Sequence, residues 1–338
     1  MKAACSRRYG PPSVVTLKDL PDPVPKAGEV LVRIEAAGVT VGDARIRAAR
    51  VPRGMGPLIR IVFGLTGPRR PVLGREYAGR VAALGTGVNQ FKVGDAVFGI
   101  TEGMRLGAHA ELAALKADGL IFRRPETLSI PEAATFFFGG LTAADFLLDQ
   151  CALKAGERVL VVGATGAVGS AAVQLARYRG AHVTALTSAT HRDLARELGA
   201  HEASDYSDAL PKGPFDVILD VPGLLPDARE RLAPHGRLGL VTATLGQTLA
   251  ATLWPRRAGN KRVCAGIVKE TPAACARLLA LHTAGAYRPL VGDTFSFADI
   301  ARAHALVDSG HKRGSVLVRM ASTDEASTDE ASAKAAPK

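Results

Sequence analysis

The 338-residue chain is long enough for two fused domains, and its content of 47% hydrophobic and 22% charged residues excludes a globally disordered protein. No run of about 18 uninterrupted apolar residues occurs, so we expect no membrane insertion. Residues 1–12 lack the apolar region of a secretory signal, which predicts a cytoplasmic protein. Four scattered cysteines without a CxxC pair exclude a zinc knuckle and are typical of a reducing compartment.

The charge balance of 43 Lys+Arg against 32 Asp+Glu gives a net charge of +11. Such a charge is compatible with nucleic acid, a membrane surface or a phosphate-rich cofactor as partner. The densest basic stretch interleaves its arginines with apolar residues and proline: Arg45, Arg47, Arg50, Arg53, Arg60, Arg69, Arg70 and Arg75. This pattern favours a solvated or substrate-facing surface over a nucleic-acid groove.

The first 125 residues predict a β-rich domain. Residues 30–35 alternate between apolar and other side chains, as in a half-buried strand. Two further apolar runs, Tyr77–Leu84 and Ala96–Ile100, are bounded by turn sequences rich in glycine and aspartate. Short strands of this kind indicate a compact barrel or a distorted sandwich.

After Pro125 the pattern changes to apolar strands that alternate with helices. The predicted elements are a strand (Arg158–Gly163), a helix (Val168–Arg179), a strand (His182–Thr187), a helix (Arg192–Leu198), a strand (Asp216–Asp220), a helix (Asp227–Leu232) and a strand (Gly236–Val241). This alternation predicts a parallel sheet with both faces covered by helices.

The C-terminal part of the chain divides into two pieces. Residues 295–320 predict a helix and a strand (Ser315–Arg319), which we expect to return to the first domain. Residues 321–338 contain ASTDE twice and no large apolar residue. Such a segment cannot offset its ordering entropy by burial, so it predicts a disordered tail.

The strongest local signal is a glycine-rich turn between a buried strand and an alanine-rich helix. The turn consists of Gly163, Ala164, Thr165, Gly166, Ala167, Val168 and Gly169. Without a Cβ, Gly166 lets a diphosphate approach the main chain, and Gly169 lets the helix pack closely on the strand. The phosphates then lie against free N–H groups and the positive end of the helix dipole. We therefore predict a dinucleotide-binding site.

The end of the second strand of this domain bears on the choice of cofactor. Sites that prefer NAD place an Asp or Glu there, which accepts a hydrogen bond from the ribose 2′-OH. This chain has Thr187, Ser188 and then Arg192, with no carboxylate until Asp193. A hydroxyl and a basic group suit a 2′-phosphate, so we predict NADPH (NADP) as the cofactor.

Several segments together resemble the medium-chain dehydrogenase/reductase superfamily, and above all its zinc-independent quinone oxidoreductase branch. They occur in the family order: 28–34, 37–43, 71–81, 91–95, 139–143, the glycine turn, and 198–206. The resemblance implies an α/β fold in which a GroES-like catalytic domain (1–125, completed by 288–320) surrounds a Rossmann-type, doubly wound parallel sheet (126–287). It places the active site in the cleft between them.

The resemblance also indicates which zinc ligands are missing. The positions that carry Cys, His and Cys in zinc-dependent members hold Thr40, Arg75 and Phe138. A charged arginine and a phenylalanine cannot ligate zinc, so we expect no metal. For Glu76, beside the lost histidine position, we expect an ion pair with a nearby arginine.

Without a Lewis acid, an acceptor that delocalises the developing charge is easiest to reduce. We therefore predict hydride transfer from NADPH to a quinone or an α,β-unsaturated carbonyl, that is, a small hydrophobic, electron-poor substrate. Two alternatives stay open. One is an NADPH-dependent reductase of another carbonyl, and the other is a non-catalytic NADPH-binding sensor or RNA-binding protein.

The resemblance assigns roles to single residues. Catalytic candidates are Thr40, Arg45 and Tyr77, which belong to motifs that flank the cleft; cofactor-binding candidates outside the turn are Thr142, Ser188, Arg192, Tyr206 and Arg313. The family also implies a homodimer, for which residues 261–268 provide a predicted edge strand. Residues 51–70, with an apolar centre, form either a lid over the substrate or a plain structural insertion.

Overall fold

The computed structural model describes residues 1–50, 56–103, 105–253, 256–257 and 260–320. The predicted tail, residues 321–338, and the first five residues of the proposed lid, 51–55, lie outside the described residues. Within these ranges no helix combines the length and the apolar character needed to cross a membrane.

The first 125 residues fold mainly into strands, as predicted. The described strands and helices are β1 (Lys2–Cys5), β2 (Thr16–Asp19), β3 (Glu29–Val39), α1 (Val41–Ala48), α2 (Gly56–Phe63), β4 (Glu76–Leu84), β5 (Ala96–Ile100), β6 (Leu112–Lys116) and β7 (Ile121–Arg123). Along β3 the predicted alternation is confirmed, because Val30, Val32 and Ile34 are buried and the residues between them are not. β1 and β2 pair as a separate antiparallel ribbon.

Residues 126–287 form a second β-sheet together with the helices that connect its strands. The described elements are α3 (Ile130–Ala133), α4 (Phe137–Ala144), a π-helical segment (Asp145–Gln150), β8 (Arg158–Val162), α5 (Ala167–Tyr178), β9 (His182–Thr187), α6 (Arg192–Glu197), β10 (Glu202–Asp205), β11 (Phe215–Asp220), β12 (Leu232–Leu240), α7 (Leu245–Leu253), β13 (Arg256–Arg257), β14 (Lys261–Cys264) and α8 (Pro272–Thr283). The parallel strands follow the order β10-β9-β8-β11-β12-β14. This is the doubly wound nucleotide-binding arrangement, whose ligand crevice lies where the order reverses, between β8 and β11.

The predicted helix over residues 227–232 is wrong. The chain forms turns there, and Leu232 already begins β12. Asp227 has a positive φ of 51°, a left-handed conformation that cannot continue an α-helix.

The predicted edge strand over residues 261–268 is also corrected. β14 ends at Cys264, and β13 pairs antiparallel with it on the side away from β12. The short β13 thus pairs with the first two residues of β14, Lys261 and Arg262, and the homodimer stays a prediction.

The last described elements are β15 (Val291–Ser296), α9 (Ile300–Ser309) and β16 (Ser315–Arg319). β16 pairs antiparallel with β3, so the first sheet has the order β15-β16-β3-β4-β5-β7, with β6 also paired to β3. A buried ion pair joins α1 to α9, with Arg47 Nη2 2.6 Å from Asp308 Oδ2. The C-terminal segment therefore packs on the sheet of the first 125 residues.

An aromatic cluster carries one continuous core from the first sheet into the second. Phe98 of β5 stacks on Phe137 of α4 with 5.2 Å between ring centroids, and Phe136 meets Phe137 edge-on at 5.1 Å. All three rings are fully buried. Burial of this much aromatic surface fixes α4 against the first domain.

The carboxyl group of Glu76 forms a polar contact at the same place. Its Oε1 accepts hydrogen bonds from the backbone N–H groups of Phe137 (2.6 Å) and Phe138 (2.7 Å), which lack partners within the helix. The ion pair expected for Glu76 is absent among the described residues, because the neighbouring Arg75 pairs with Glu270. Burial raises the pKa of Glu76 to about 8.

This pKa gives the protein a pH-dependent stability. Folded Glu76 keeps its proton up to about pH 8, whereas an unfolded glutamate loses it near 4.5. The folded state binds more protons in this window, so its free energy of unfolding falls as pH rises, by up to about 1.4 kcal/mol per pH unit. We expect Glu76→Gln, which keeps an acceptor oxygen but does not titrate, to flatten this decline in urea-unfolding experiments.

The control is Glu76→Ala, which leaves two buried N–H groups without a partner. We expect it to lower the free energy of unfolding by about 1–3 kcal/mol near pH 5. Because alanine also does not titrate, this difference from the wild type should shrink as the pH rises towards 8. If the free energy of unfolding of Glu76→Gln fell with pH as steeply as that of the wild type, the pH dependence would not come from Glu76.

Candidate active site

The predicted phosphate-binding turn lies at the carboxyl end of β8, beside the point where the strand order reverses. Gly163 has a positive φ of 75°, and Gly166 precedes the first turn of α5 without any side-chain cap. A Cβ on Gly166 would meet no protein atom nearer than the Gly163 oxygen at 3.5 Å. Space is thus open at Gly166, at the N-terminal end of α5, where a diphosphate fits.

Gly169 has a different role from Gly166. A Cβ on Gly169 would lie 2.0 Å from the Gly163 carbonyl oxygen. Only glycine lets α5 approach the end of β8 this closely. Ala164, in place of the first family glycine, is fully buried and its N–H donates to the Leu186 carbonyl at 3.2 Å. The substitution therefore leaves the turn intact.

Two contacts hold the turn to its surroundings. The hydroxyls of Thr165 and Thr187 share a hydrogen bond of 2.6 Å, which ties the turn to the end of β9. The N–H of Gly314 donates to the Thr165 carbonyl at 2.8 Å. The segment before β16 therefore reaches the turn, whereas the neighbouring side chain of Arg313 is exposed.

Three predicted residues lie around the adenosine end of the site. Ser188 hydrogen-bonds to His191 Nδ1 at 3.0 Å, and Tyr206 is 47% exposed, with its hydroxyl in contact with the Gly163 backbone. Arg192 Nη1 lies 3.3 Å from Asp208 Oδ2. Sequence reasoning missed Asp208, which is distant in the chain and carries no motif.

Helix α4 brings Thr142 to the junction between the domains. Its hydroxyl donates to the Phe138 carbonyl one turn earlier, at 2.7 Å, and the residue is 7% exposed. A hydroxyl oxygen keeps a lone pair when it donates, so Thr142 is able to accept a bond from a ribose hydroxyl.

Thr40 begins α1 as its N-cap. Its hydroxyl donates to Asp43 Oδ2 at 2.6 Å and accepts from the Asp43 N–H at 3.2 Å, while Asp43 Oδ1 accepts from the Gly74 N–H. These bonds already use the hydroxyl, so in this arrangement Thr40 positions α1. Sequence reasoning missed the capping box, although Thr and Asp three residues apart are a known signal for one.

Arg45 reaches across the junction. Its Nη2 donates to the hydroxyl of Thr242, which follows β12, at 3.0 Å. Burial lowers the pKa of Arg45, and the described residues provide it with no carboxylate partner among their ion pairs. A half-buried cation in this situation is suited to bind an anion or a developing negative charge.

Tyr77 does not flank the cleft as predicted. The residue is 1% exposed and packs in the core of the first domain with Val32 and Val97. A Cβ on Gly99 would lie 2.6 Å from its hydroxyl oxygen. Because side chains alternate along β4, Tyr77 faces this core, and its role is packing.

The residues that the resemblance places at the zinc-ligand positions make other contacts in this structure. Arg75 makes two hydrogen bonds to Glu270, of 3.0 and 2.6 Å, and a third to the Thr101 carbonyl at 2.9 Å. Phe138 packs at the start of α4. Within the described ranges, no three His, Cys, Asp or Glu side chains are grouped so that they could hold a metal ion.

Sequence reasoning missed Lys312 altogether. Its Nζ donates to the Gly314 carbonyl at 2.7 Å, next to the phosphate-binding turn. Part of its surface is exposed, but protein atoms surround the chain closely, and this burial lowers the pKa of Lys312 to about 8. An amine with this pKa is able to donate a proton near neutral pH.

The described part of the proposed lid lies beside a cavity of about 310 Å³. Val62 and Phe63 of α2 line it together with Arg69, Arg70 and Arg105. Ile61 and Leu65 are 61% and 70% exposed. The segment thus presents apolar side chains and arginines together, and the choice between a lid and an insertion stays a prediction.

Comparison with known proteins agrees with this arrangement. The alcohol dehydrogenase GroES-like domain family matches residues 26–125, and the zinc-binding dehydrogenase family matches residues 198–318. The quinone oxidoreductase of Sus scrofa is 30% identical over 323 residues, which cover 91% of this chain and 93% of that protein. The chain belongs to the medium-chain dehydrogenase/reductase superfamily, in its quinone oxidoreductase-like branch.

Solved structures of this superfamily agree with the fold. The quinone oxidoreductase from Coxiella burnetii has a TM-score of 0.81 at 26% identity, and the match covers 94% of this chain and 99% of that one. A mycobacterial protein solved as a complex with NADPH has a TM-score of 0.77, also at 26% identity, with 94% and 99% covered. This oxidoreductase is therefore one of a family of nicotinamide-dependent dehydrogenases and reductases, with a GroES-like and a Rossmann-type domain.

Two of the three glycines of the turn, Gly166 and Gly169, are expected to affect different properties when they are replaced by alanine. We expect Gly166→Ala to leave the free energy of unfolding within about 0.5 kcal/mol, because its Cβ meets open space, and to weaken NADPH binding roughly tenfold or more. We expect Gly169→Ala to cost about 1–3 kcal/mol of stability, because its Cβ meets the Gly163 oxygen. Urea unfolding and fluorescence titration with NADPH measure the two effects. If the two variants changed stability and NADPH binding to the same extent, the two glycines would not have the separate roles assigned to them.

Proposed function

We propose that this protein is an NADPH-dependent, zinc-independent oxidoreductase that transfers hydride to a quinone or an α,β-unsaturated carbonyl. One observation carries the proposal. The open phosphate-binding turn lies at the junction where the residues at the family's zinc-ligand positions are Thr40, Arg75 and Phe138. Neither a charged arginine nor a phenylalanine is a zinc ligand, so the acceptor itself has to spread the developing charge.

The residues present fit a dinucleotide. The open face of Gly166 and the N-terminus of α5 would hold the diphosphate, and Thr142 the nicotinamide ribose. When bound, the reduced nicotinamide supplies the hydride. On this proposal residues 126–287 are the nucleotide-binding domain, and residues 1–125 with 288–320 are the catalytic domain.

The preference for NADPH over NADH is supported by the adenosine end of the site. Ser188 and Arg192 follow β9, where NAD-preferring sites have a carboxylate. The contact between Arg192 and Asp208 is long, at 3.3 Å, and both side chains are partly exposed. Because an exposed ion pair is weak, a 2′-phosphate is able to compete for the guanidinium.

Arg45 and Lys312 would supply the two other functions that the reaction needs, charge stabilisation and proton donation. Arg45, fixed by Thr242, would stabilise the enolate or phenolate oxygen that develops on the acceptor. Lys312, held by the Gly314 carbonyl beside the turn, would return the proton that completes reduction. Sequence reasoning identified no proton donor.

The first test is turnover of the purified protein with NADPH. We expect oxidation of NADPH by quinones and enones, little oxidation by matched saturated aldehydes, and a lower KM for NADPH than for NADH. Turnover of saturated carbonyls alone would favour the alternative that the protein is an NADPH-dependent reductase of another carbonyl. No turnover, with strongly salt-sensitive RNA binding, would favour the non-catalytic alternative.

A pair of arginine variants tests the cofactor preference in the same assay. Arg192→Gln should raise the KM for NADPH and not that for NADH. Arg196→Gln is the matched control, because Arg196 lies on the same helix and its one ion pair among the described residues is with Asp193, at 2.7 Å.

The proton donor predicts a pH dependence. Lys312 is protonated below its pKa of about 8, so kcat with an enone should fall as pH rises through about 8. Lys312→Arg keeps the positive charge but cannot release a proton, so it should lower kcat and remove this limb of the pH profile. An unchanged profile in Lys312→Arg would show that solvent supplies the proton.

A further inference from the structure

Two of the four cysteines lie next to each other away from the active site. Cys151 follows the π-helical segment, and Cys264 is the last residue of β14. They are 1% and 4% exposed, and both are free. The Cys264 thiol donates to the carbonyl of Gln150, the residue before Cys151, at 3.3 Å. The sequence separates them widely, so only the fold brings the two sulfurs together.

The geometry around Gly239 explains this approach. Gly239 of β12 is the register partner of Cys264 in the neighbouring parallel strand. A Cβ on Gly239 would lie 3.4 Å from Cys151 Sγ. The Cys151 sulfur thus packs over Gly239, the strand position that has no side chain. The backbone of Gly239 lies one strand spacing, about 4.8 Å, from that of Cys264. A larger residue than glycine would separate the thiols.

A cavity and two arginines lie beside this pair. Cys151 lines a cavity of about 480 Å³, together with Lys154, Arg237 and Arg262 and the carboxylates Glu157 and Asp216. Glu157 is paired with Arg237 at 2.7 Å. Arg237 Nε donates to the Cys151 carbonyl at 2.8 Å. The neighbouring Cys151 thiol lowers the pKa of Cys264 against the opposing effect of burial, and the charges of Arg262 and Arg237 also lower it. Cys264 is therefore the better nucleophile of the two.

We propose that Cys151 and Cys264 are a modification site at which a hydroperoxide produces a reversible intramolecular disulfide. The Cys264 thiolate attacks the peroxide, so that an S–O bond forms, the O–O bond breaks and one water leaves after proton uptake. The Cys151 sulfur then attacks Cys264, so that the S–S bond forms, the S–O bond breaks and a second water leaves. Two thiols lose two electrons and two protons, and hydrogen peroxide becomes two waters.

The other two cysteines provide matched internal controls. Cys5 is buried with Ala3 and Ala110 in a separate small core. Cys275 is buried in α8, and burial raises its pKa to about 12. Neither has a cysteine partner among its described interactions, so both should stay reduced.

The experiment treats the full-length protein with hydrogen peroxide and then counts thiols under denaturing conditions. We expect the count to fall from the four cysteines of the chain to about half. Peptide mapping without reductant should find one species that joins the peptides of Cys151 and Cys264, and dithiothreitol should reverse it. Cys275→Ser should form the same species, and Cys151→Ser should not.

Three outcomes would overturn the proposal. They are an undiminished thiol count, oxidation directed to Cys5 or Cys275, and a disulfide that joins two copies of the chain. The peptide map of the unmodified sequence decides between them, so the result does not depend on whether a serine variant folds. It is also independent of the proposed reductase activity.

Discussion

The contact between Glu76 and the first N–H groups of α4 is the interaction on which the candidate site depends. It is buried and polar, and it joins a strand of one domain to a helix of the other. A buried carboxyl group is costly unless its oxygens are paired, and the start of a helix provides such partners. α4 therefore has one position relative to the first sheet. Thr142 and Phe138 take their places from it.

Three further contacts close the same junction. Arg45 reaches Thr242, Arg75 binds Glu270 through two hydrogen bonds, and the Gly314 N–H binds the turn. Each joins residues 1–125 or 288–320 to residues 126–287. The junction is thus lined with polar groups that are already oriented, which reduces the reorganisation needed when charge develops on a substrate. Orientation, rather than a metal ligand set, is what these residues offer.

The fold accommodates the positions at which the sequence departs from the expected family pattern. Arg75, which stands where the resemblance expects a histidine, is held by Glu270 in an ion pair. Ala164 replaces the first glycine of the turn and is tolerated because the close approach occurs at Gly169. Lys312 contributes an amine beside the turn. The same scaffold therefore carries a different set of charges at the junction.

Local pattern by itself determined much of this protein. The alternation in β3, the apolar strand before the glycine turn and the missing Cβ of Gly166 are properties of neighbouring residues, so the α/β fold and the phosphate-binding turn were readable from the chain. Only the tertiary structure decided the inward direction of Tyr77, the left-handed turn at Asp227 and the meeting of Cys151 with Cys264. These depend on contacts between residues distant in sequence, and burial, which sets the pKa of Glu76 and Lys312, exists only after those contacts form.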